Sequence, residues 1–165
     1  MENYMKLEIA ALGENESFAR SAVAAFALSL NPTLAELSDI KTAVSEAVTN
    51  CIVHAYKREQ DAAKIIIECR VEREEIVCAE GDIARGKGAL HIRITDFGCG
   101  IDDVEKALTP FYTTLAGEER SGMGFTIMQT FMDDFSLQSE RGKGTQIFMR
   151  KTIGEMRSQT VRDVV

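Results

Sequence analysis

The stretch Ser45-Glu46-Ala47-Val48-Thr49-Asn50-Cys51-Ile52-Val53-His54-Ala55-Tyr56 constrains this chain more than any other. Ala43, Val44, Ala47, Val48, Cys51 and Ile52 recur at helical spacing, so the stretch reads as the second half of a helix whose apolar side faces a core. Glu46 and Asn50 interrupt that character. They stand four residues apart and therefore stack on one face, one turn above the other. A carboxylate so placed can accept a proton from an attacking hydroxyl, and an amide oxygen one turn away can ligate a hard cation. Taken alone, the pair also fits a solvated helix edge.

Composition narrows the field. With 165 residues, 45% of them apolar, the chain suits one globular domain with a sizeable core. A net charge of −7 argues against non-specific nucleic-acid binding and suits a basic protein partner. The longest apolar run, Ala22 to Leu30, is broken by Ser29 and is too short to span a bilayer. Met1-Glu2-Asn3 is acidic and polar, with no sign of a signal peptide. Cys51, Cys69, Cys78 and Cys99 lack C-x-x-C spacing and nearby histidine pairs, so they read as reduced thiols in the cytoplasm.

The other elements can be placed in order. Tyr4 to Leu12 alternates as a half-buried strand, and Asn15 would cap a helix bearing Phe18, Val23, Phe26, Ala27 and Leu30 on its core side, with Glu16 and Arg20 on the polar face. Asn31-Pro32 would start the helix that runs to Tyr56, and 57–63 is a polar loop. Lys64 to Val71 is a strand with Ile65, Ile67, Cys69 and Val71 on one face, followed by a charged turn at 72–75, a possible strand at 76–78 and a long hairpin loop at 81–88. In Leu90 to Asp96, the carboxylate of Asp96 shares the parity of Leu90, Ile92 and Ile94, so it closes a core-facing row and needs a partner. Phe97-Gly98-Cys99-Gly100 follows at once, with glycines that let backbone approach a ligand; a ligand amino group could then bond Asp96. After a short helix at 102–107 and a loop at 108–120 comes Ser121-Gly122-Met123-Gly124, running into a helix with Phe125, Ile127, Met128, Phe131 and Met132. Free N–H groups and the positive dipole end favour a phosphate there. Asp134 to Glu140 and Thr145 to Arg150 form a hairpin around Arg141-Gly142-Lys143-Gly144, and the polar tail 151–165 would fray.

The order of these signals is more specific than any one of them. It resembles the nucleotide site of the GHKL ATPase/kinase superfamily: Ser45 to Tyr56 looks like its N-box, Asp96 to Gly100 like its first glycine box, and Ser121 to Phe125 like its second. Asn15 to Arg20, Val44 to Asn50 and Glu119 to Met128 further resemble the sporulation anti-sigma-F factors. The resemblance implies an α+β fold over 1–150, a two-layer sandwich of a mixed, mostly antiparallel sheet with helices on one face. It also implies ATP and Mg²⁺ as cofactors, a homodimer, inhibition of a sporulation sigma factor, and phosphorylation of a serine on an anti-anti-sigma protein. Neither nucleic acid nor membrane is an implied partner.

Residue by residue, the resemblance makes Glu46 the general base and Asn50 a Mg²⁺ ligand. It assigns Asp96 to the adenine amino group, in a pocket shaped by Gly98 and Gly100, and sets Thr145 near the adenine end. Ser121, Gly122, Met123, Gly124 and Phe125 line the phosphate end, while Thr113, Thr114 and Arg120 belong to a lid. Glu16 and Arg20 match a partner-facing first helix. His54, one turn beyond Asn50, reads as a structural helix-end residue that could approach the phosphates. Two departures stand out: Leu115-Ala116 follow Thr114 where close relatives carry Lys-Pro, and the loop at 81–88 is longer than the usual tight turn. The rival readings are a sensor histidine kinase catalytic domain, a nucleotide-gated anti-sigma binder without transferase activity, and a general-stress anti-sigma kinase.

Overall fold

The computed structural model describes residues 3–56, 63–73, 88–110 and 122–154. The elements are β1 (Asn3–Ala10), α1 (Asn15–Ala27), α2 (Leu34–Asn50), β2 (Lys64–Arg73), β3 (Gly88–Asp96), α3 (Val104–Ala107), α4 (Gly124–Phe131), β4 (Asp134–Glu140) and β5 (Gly144–Ile153). A single 3₁₀ turn, Leu28–Leu30, follows α1, and a π-helical turn, Cys51–Ala55, extends α2.

The five strands form one sheet in the order β1-β2-β3-β5-β4, and every described pairing is antiparallel, so the parallel pair that a mixed sheet would contain is not found among them. Period-two alternation explains its two faces. Ile65, Ile67, Cys69 and Val71 of β2 point to the same side as Leu90, Ile92 and Ile94 of β3 and Ile147 and Met149 of β5, and all are buried. Register places Ile67 opposite Ile94, and Ile94 opposite Ile147. Each such side chain contributes about 1.5–3 kcal/mol relative to exposure. The helices cover this face: Val23 and Ala27 of α1, Ile40, Ala43, Val44, Ala47 and Val48 of α2, and Met128 of α4 complete the core. α2 packs against both α1 and α4. The result is the expected two-layer α+β sandwich.

Several local expectations are corrected. Asn15 does not cap α1: it is the first helical residue, and its Nδ2 donates to the Ala10 carbonyl at 3.0 Å. Phe18 is 55% exposed rather than in the core. Asn31 ends the 3₁₀ turn in the left-handed region (φ 52°), and Thr33 caps α2 instead. The Thr33 hydroxyl accepts the Glu36 N–H at 3.2 Å while Glu36 Oε2 accepts the Thr33 N–H at 2.6 Å, a reciprocal capping box. β2 continues through Glu72 and Arg73, where a turn was expected, and Gly88 already belongs to β3. β5 runs to Ile153, so 151–153 are strand rather than tail. The expectations at 57–62, 74–87, 111–121 and 155–165 lie outside the described residues. Among the described residues, no helix is long and apolar enough to cross a membrane.

Candidate functional site

The N-terminus of α4 lies against the polar pair of α2. An ideal Cβ on Gly124 would stand 3.0 Å from Glu46 Oε2, 3.2 Å from Asn50 Nδ2 and 3.4 Å from Asn50 Oδ1. Three positions separated by up to 78 residues in sequence therefore meet, with Gly124 opening α4 and Met123 as its cap residue. The first-turn N–H groups of a helix have no intrahelical partner and carry positive partial charge. A carboxylate, an amide and those donors thus converge on one spot. Phe125, one residue further, turns inward and packs on Phe135 with ring centroids 6.1 Å apart.

The first glycine stretch is held by close packing on both sides. Gly98 leaves no room for a side chain because the end of α2's π-helical extension occupies it: a Cβ would overlap the Ala55 carbonyl and lie 2.6 Å from the Ala55 Cβ. Cys99 N–H donates to that carbonyl at 2.7 Å, and Cys99 Sγ–H to the His54 carbonyl at 3.3 Å. Gly100, at φ 71°, is pressed on the other side against the Glu140 backbone. Ile101 N–H donates to Ser139 Oγ at 2.8 Å, and Gly142 N–H to the Cys99 carbonyl at 2.7 Å. Both glycines therefore serve the wedging of this loop between α2 and the β4–β5 turn.

That wedge presents Asp96. It is 3% exposed, and its Oδ1 accepts Gly98 N–H at 2.9 Å and Thr145 N–H at 3.2 Å. Thr145 lies directly opposite Asp96 in the β3–β5 register. The Cys51 thiol and the Thr145 hydroxyl also face the carboxylate and favour its charged form. Burial pushes the Asp96 carboxyl above its ordinary value, and these donors pull the other way without cancelling it. Burial, then the Asp96 charge, drives the Cys51 thiol well up, so it stays protonated as a donor. The Thr145 hydroxyl has Ser139 Oγ as a second partner at 2.9 Å.

Tyr56 and Cys51 are contributors that the periodicity did not single out for the site. The Tyr56 hydroxyl accepts Phe97 N–H at 2.9 Å and donates to the Lys64 carbonyl, tying the start of β2 to the end of β3. Cys51 read as one more apolar position, yet its thiol faces Asp96. No local signal marks either role, because the partners are distant in sequence. Glu16 and Arg20 lie on a different element, α1, where Arg20 Nε and Glu16 Oε1 pair at 3.2 Å. His54 sits in the π-helical turn, where its carbonyl rather than its position beyond Asn50 has the clear task. Thr113, Thr114, Arg120 and Ser121 lie outside the described residues.

Among the described residues, no group of three or more His, Cys, Asp or Glu could hold a metal, and Cys51, Cys69 and Cys99 are free thiols. Such an arrangement cannot cage a cation by itself. It does fit Mg²⁺ held by Asn50 together with ligand phosphates, since that ion keeps few protein ligands at phosphate sites. A Cβ at Gly124 would crowd Glu46 and Asn50, so glycine there keeps both side chains unobstructed on that side, and buried Asp96 can still serve as an acceptor.

Sequence comparisons identify the family. Residues 9–151 match the family model of the histidine kinase-like ATPase domain. An anti-sigma F factor of Caldanaerobacter subterraneus subsp. tengcongensis is 49% identical over 155 residues, covering 94% of this chain and 97% of that protein. One from Clostridium botulinum is 49% identical over 150 residues (91% and 94%), and one from Clostridium acetobutylicum is 47% identical over 151 (92% and 94%). The solved mycobacterial sensor histidine kinase MprB has a TM-score of 0.43 at 19% identity, covering 73% of this chain and 74% of that one; the assignment rests on the sequence matches. The chain belongs to the histidine kinase-like ATPase domain family, within its anti-sigma F factors.

Proposed function

We propose that this protein is an ATP-dependent serine/threonine protein kinase that doubles as an anti-sigma factor. It binds and inhibits a sporulation sigma factor, and it transfers a phosphoryl group from ATP to a serine of an anti-anti-sigma protein. The observation that carries this reading is the contact of the α4 N-terminus with both Glu46 and Asn50. A general base, a cation ligand and phosphate-binding N–H groups are the parts that phosphoryl transfer requires, since its catalysis is mostly positioning and charge neutralisation.

In this reading Asp96 accepts the adenine amino group, with Thr145 beside it. Gly122, Met123 and Gly124 offer N–H groups to the phosphates, and Ser121, Thr113, Thr114 and Arg120 complete the phosphate end and lid. Asn50 would hold Mg²⁺, which when bound neutralises phosphate charge. Glu46 takes the proton from the substrate serine hydroxyl as its oxygen attacks. Glu16 and Arg20, paired and partly buried on α1, contact protein partners, and the chain works as a homodimer in the cytoplasm. The −7 charge favours a basic sigma-factor surface.

The test is incubation with γ-labelled Mg-ATP and the anti-anti-sigma protein of the same organism, with sigma-factor binding measured alongside. Label on one serine, together with nucleotide-dependent sigma binding, is the expected result. Nucleotide-dependent sigma binding without label would replace the kinase by a nucleotide-gated binder. Label with no sigma binding would remove the anti-sigma role.

A further inference from the structure

The end of α4 remote from Glu46 and Asn50 carries a buried cation that the nucleotide reading does not use. Lys151, on β5, is 5% exposed although it is a lysine, a residue type rarely buried without partners. Its Nζ donates to the carbonyl of Phe131, the last residue of α4, at 2.7 Å, and to Asp39 Oδ2 on α2 at 2.9 Å. A cation at a helix C-terminus satisfies an orphan carbonyl and complements the dipole. The neighbouring backbone reinforces the junction: Thr152 N–H donates to Asp133 Oδ2 at 2.6 Å, and Gly154 N–H to Glu36 Oε1 at 3.2 Å.

α4 has eight residues and so spans about 12 Å. It touches Glu46 and Asn50 at one end and Lys151 at the other. We propose that Lys151 is a positioning residue: by clamping the C-terminus of α4 to α2 and β5, it fixes where the α4 N-terminus presents its N–H groups to the ligand phosphates. This rests on the nucleotide reading above. Lys151 acts through α4 and Asp39, whereas the Asp96 pocket hangs on β3, β5 and the end of α2's extension. Loss of the ammonium should therefore injure the phosphate end and spare the adenine end.

The experiment compares Mg-ADP and adenosine binding by calorimetry for wild type, Lys151→Met, Lys151→Arg and Asp39→Asn. It is paired with hydrogen exchange of the α4 amides. Lys151→Met should weaken Mg-ADP about tenfold, the factor carried by one hydrogen bond to a charged group, while adenosine changes less than about twofold by the same scale. Lys151→Arg should recover part of the loss. The α4 amides should exchange faster in Lys151→Met, and β2–β3 amides should not. If Lys151→Met does not fold, Asp39→Asn carries the test with a smaller loss of the same kind. Equal losses for Mg-ADP and adenosine, or none, would overturn the proposal. Wild type binding neither ligand would refute the nucleotide reading; the clamp would then stand or fall on α4 exchange alone, and unchanged exchange would refute it.

Discussion

Replacing Gly124 by alanine should separate the site from the fold. The new Cβ would meet Glu46 Oε2 at 3.0 Å and the Asn50 amide at 3.2 and 3.4 Å. Those atoms are the ends of side chains and can swing aside, at about 0.5–1.5 kcal/mol for an off-rotamer torsion. Alanine in a helix returns about 0.5–1 kcal/mol through propensity and a less free unfolded chain. Stability should therefore stay within about 1 kcal/mol of wild type. Function should not: a shift of a few tenths of an ångström in both the base and the cation ligand should cost roughly several-fold in rate, on the scale on which a 1 Å misplacement costs about 10²-fold. Gly98→Ala is the contrast, because its Cβ meets the Ala55 backbone, which cannot swing. Overpacking there should cost about 3 kcal/mol or more. Urea denaturation and transfer of label from γ-labelled ATP, run on both variants, provide the two readouts. Full transfer by Gly124→Ala would refute the placement of α4 against Glu46 and Asn50. A stable Gly98→Ala would refute the wedge.

Asp96→Asn should abolish nucleotide affinity and also change the pH dependence of stability. The buried carboxyl has a folded pKa above 3.8, so over the window from there upward the native state holds the proton more firmly than the unfolded chain. Wild type then loses stability as pH rises through that window, and the asparagine does not. The melting temperature of Asp96→Asn relative to wild type should rise as pH increases above about 4; a fall would contradict the assignment. Tyr56→Phe strands the Phe97 N–H and the Lys64 carbonyl, and should cost about 1–3 kcal/mol in urea denaturation. An unchanged midpoint would show that water replaces the hydroxyl.

Much of this architecture can be read from periodicity. The alternations in 64–71 and 90–96 locate β2 and β3, and the parity of Asp96 announces a buried carboxylate before any coordinate is known. The spacing of Glu46 and Asn50 likewise announces their shared face. What a linear reading misses is what depends on distant neighbours. Asn31 carries good capping chemistry, but Thr33 has Glu36 three residues on and takes the α2 cap through reciprocal bonds. Phe18 fits the helical stripe, yet α1 turns its small residues Ala19, Val23 and Ala27 inward instead. The packing of Gly98 on Ala55 and of Gly100 on Glu140 is likewise invisible in the linear order. Lys151 belongs to a polar tail by composition and to the core by its contacts with Asp39 and Phe131.

Phosphoryl transfer by Glu46→Ala, measured beside its Mg-ADP affinity, tests the central claim most directly. If Glu46 is the base, label on the substrate serine should fall by about 10²–10⁴-fold while the nucleotide still binds, because Asp96, Asn50 and the N–H groups of the α4 N-terminus all remain. Transfer at the wild-type rate with affinity intact would contradict it and take the base away from the carboxylate that the fold sets against Gly124.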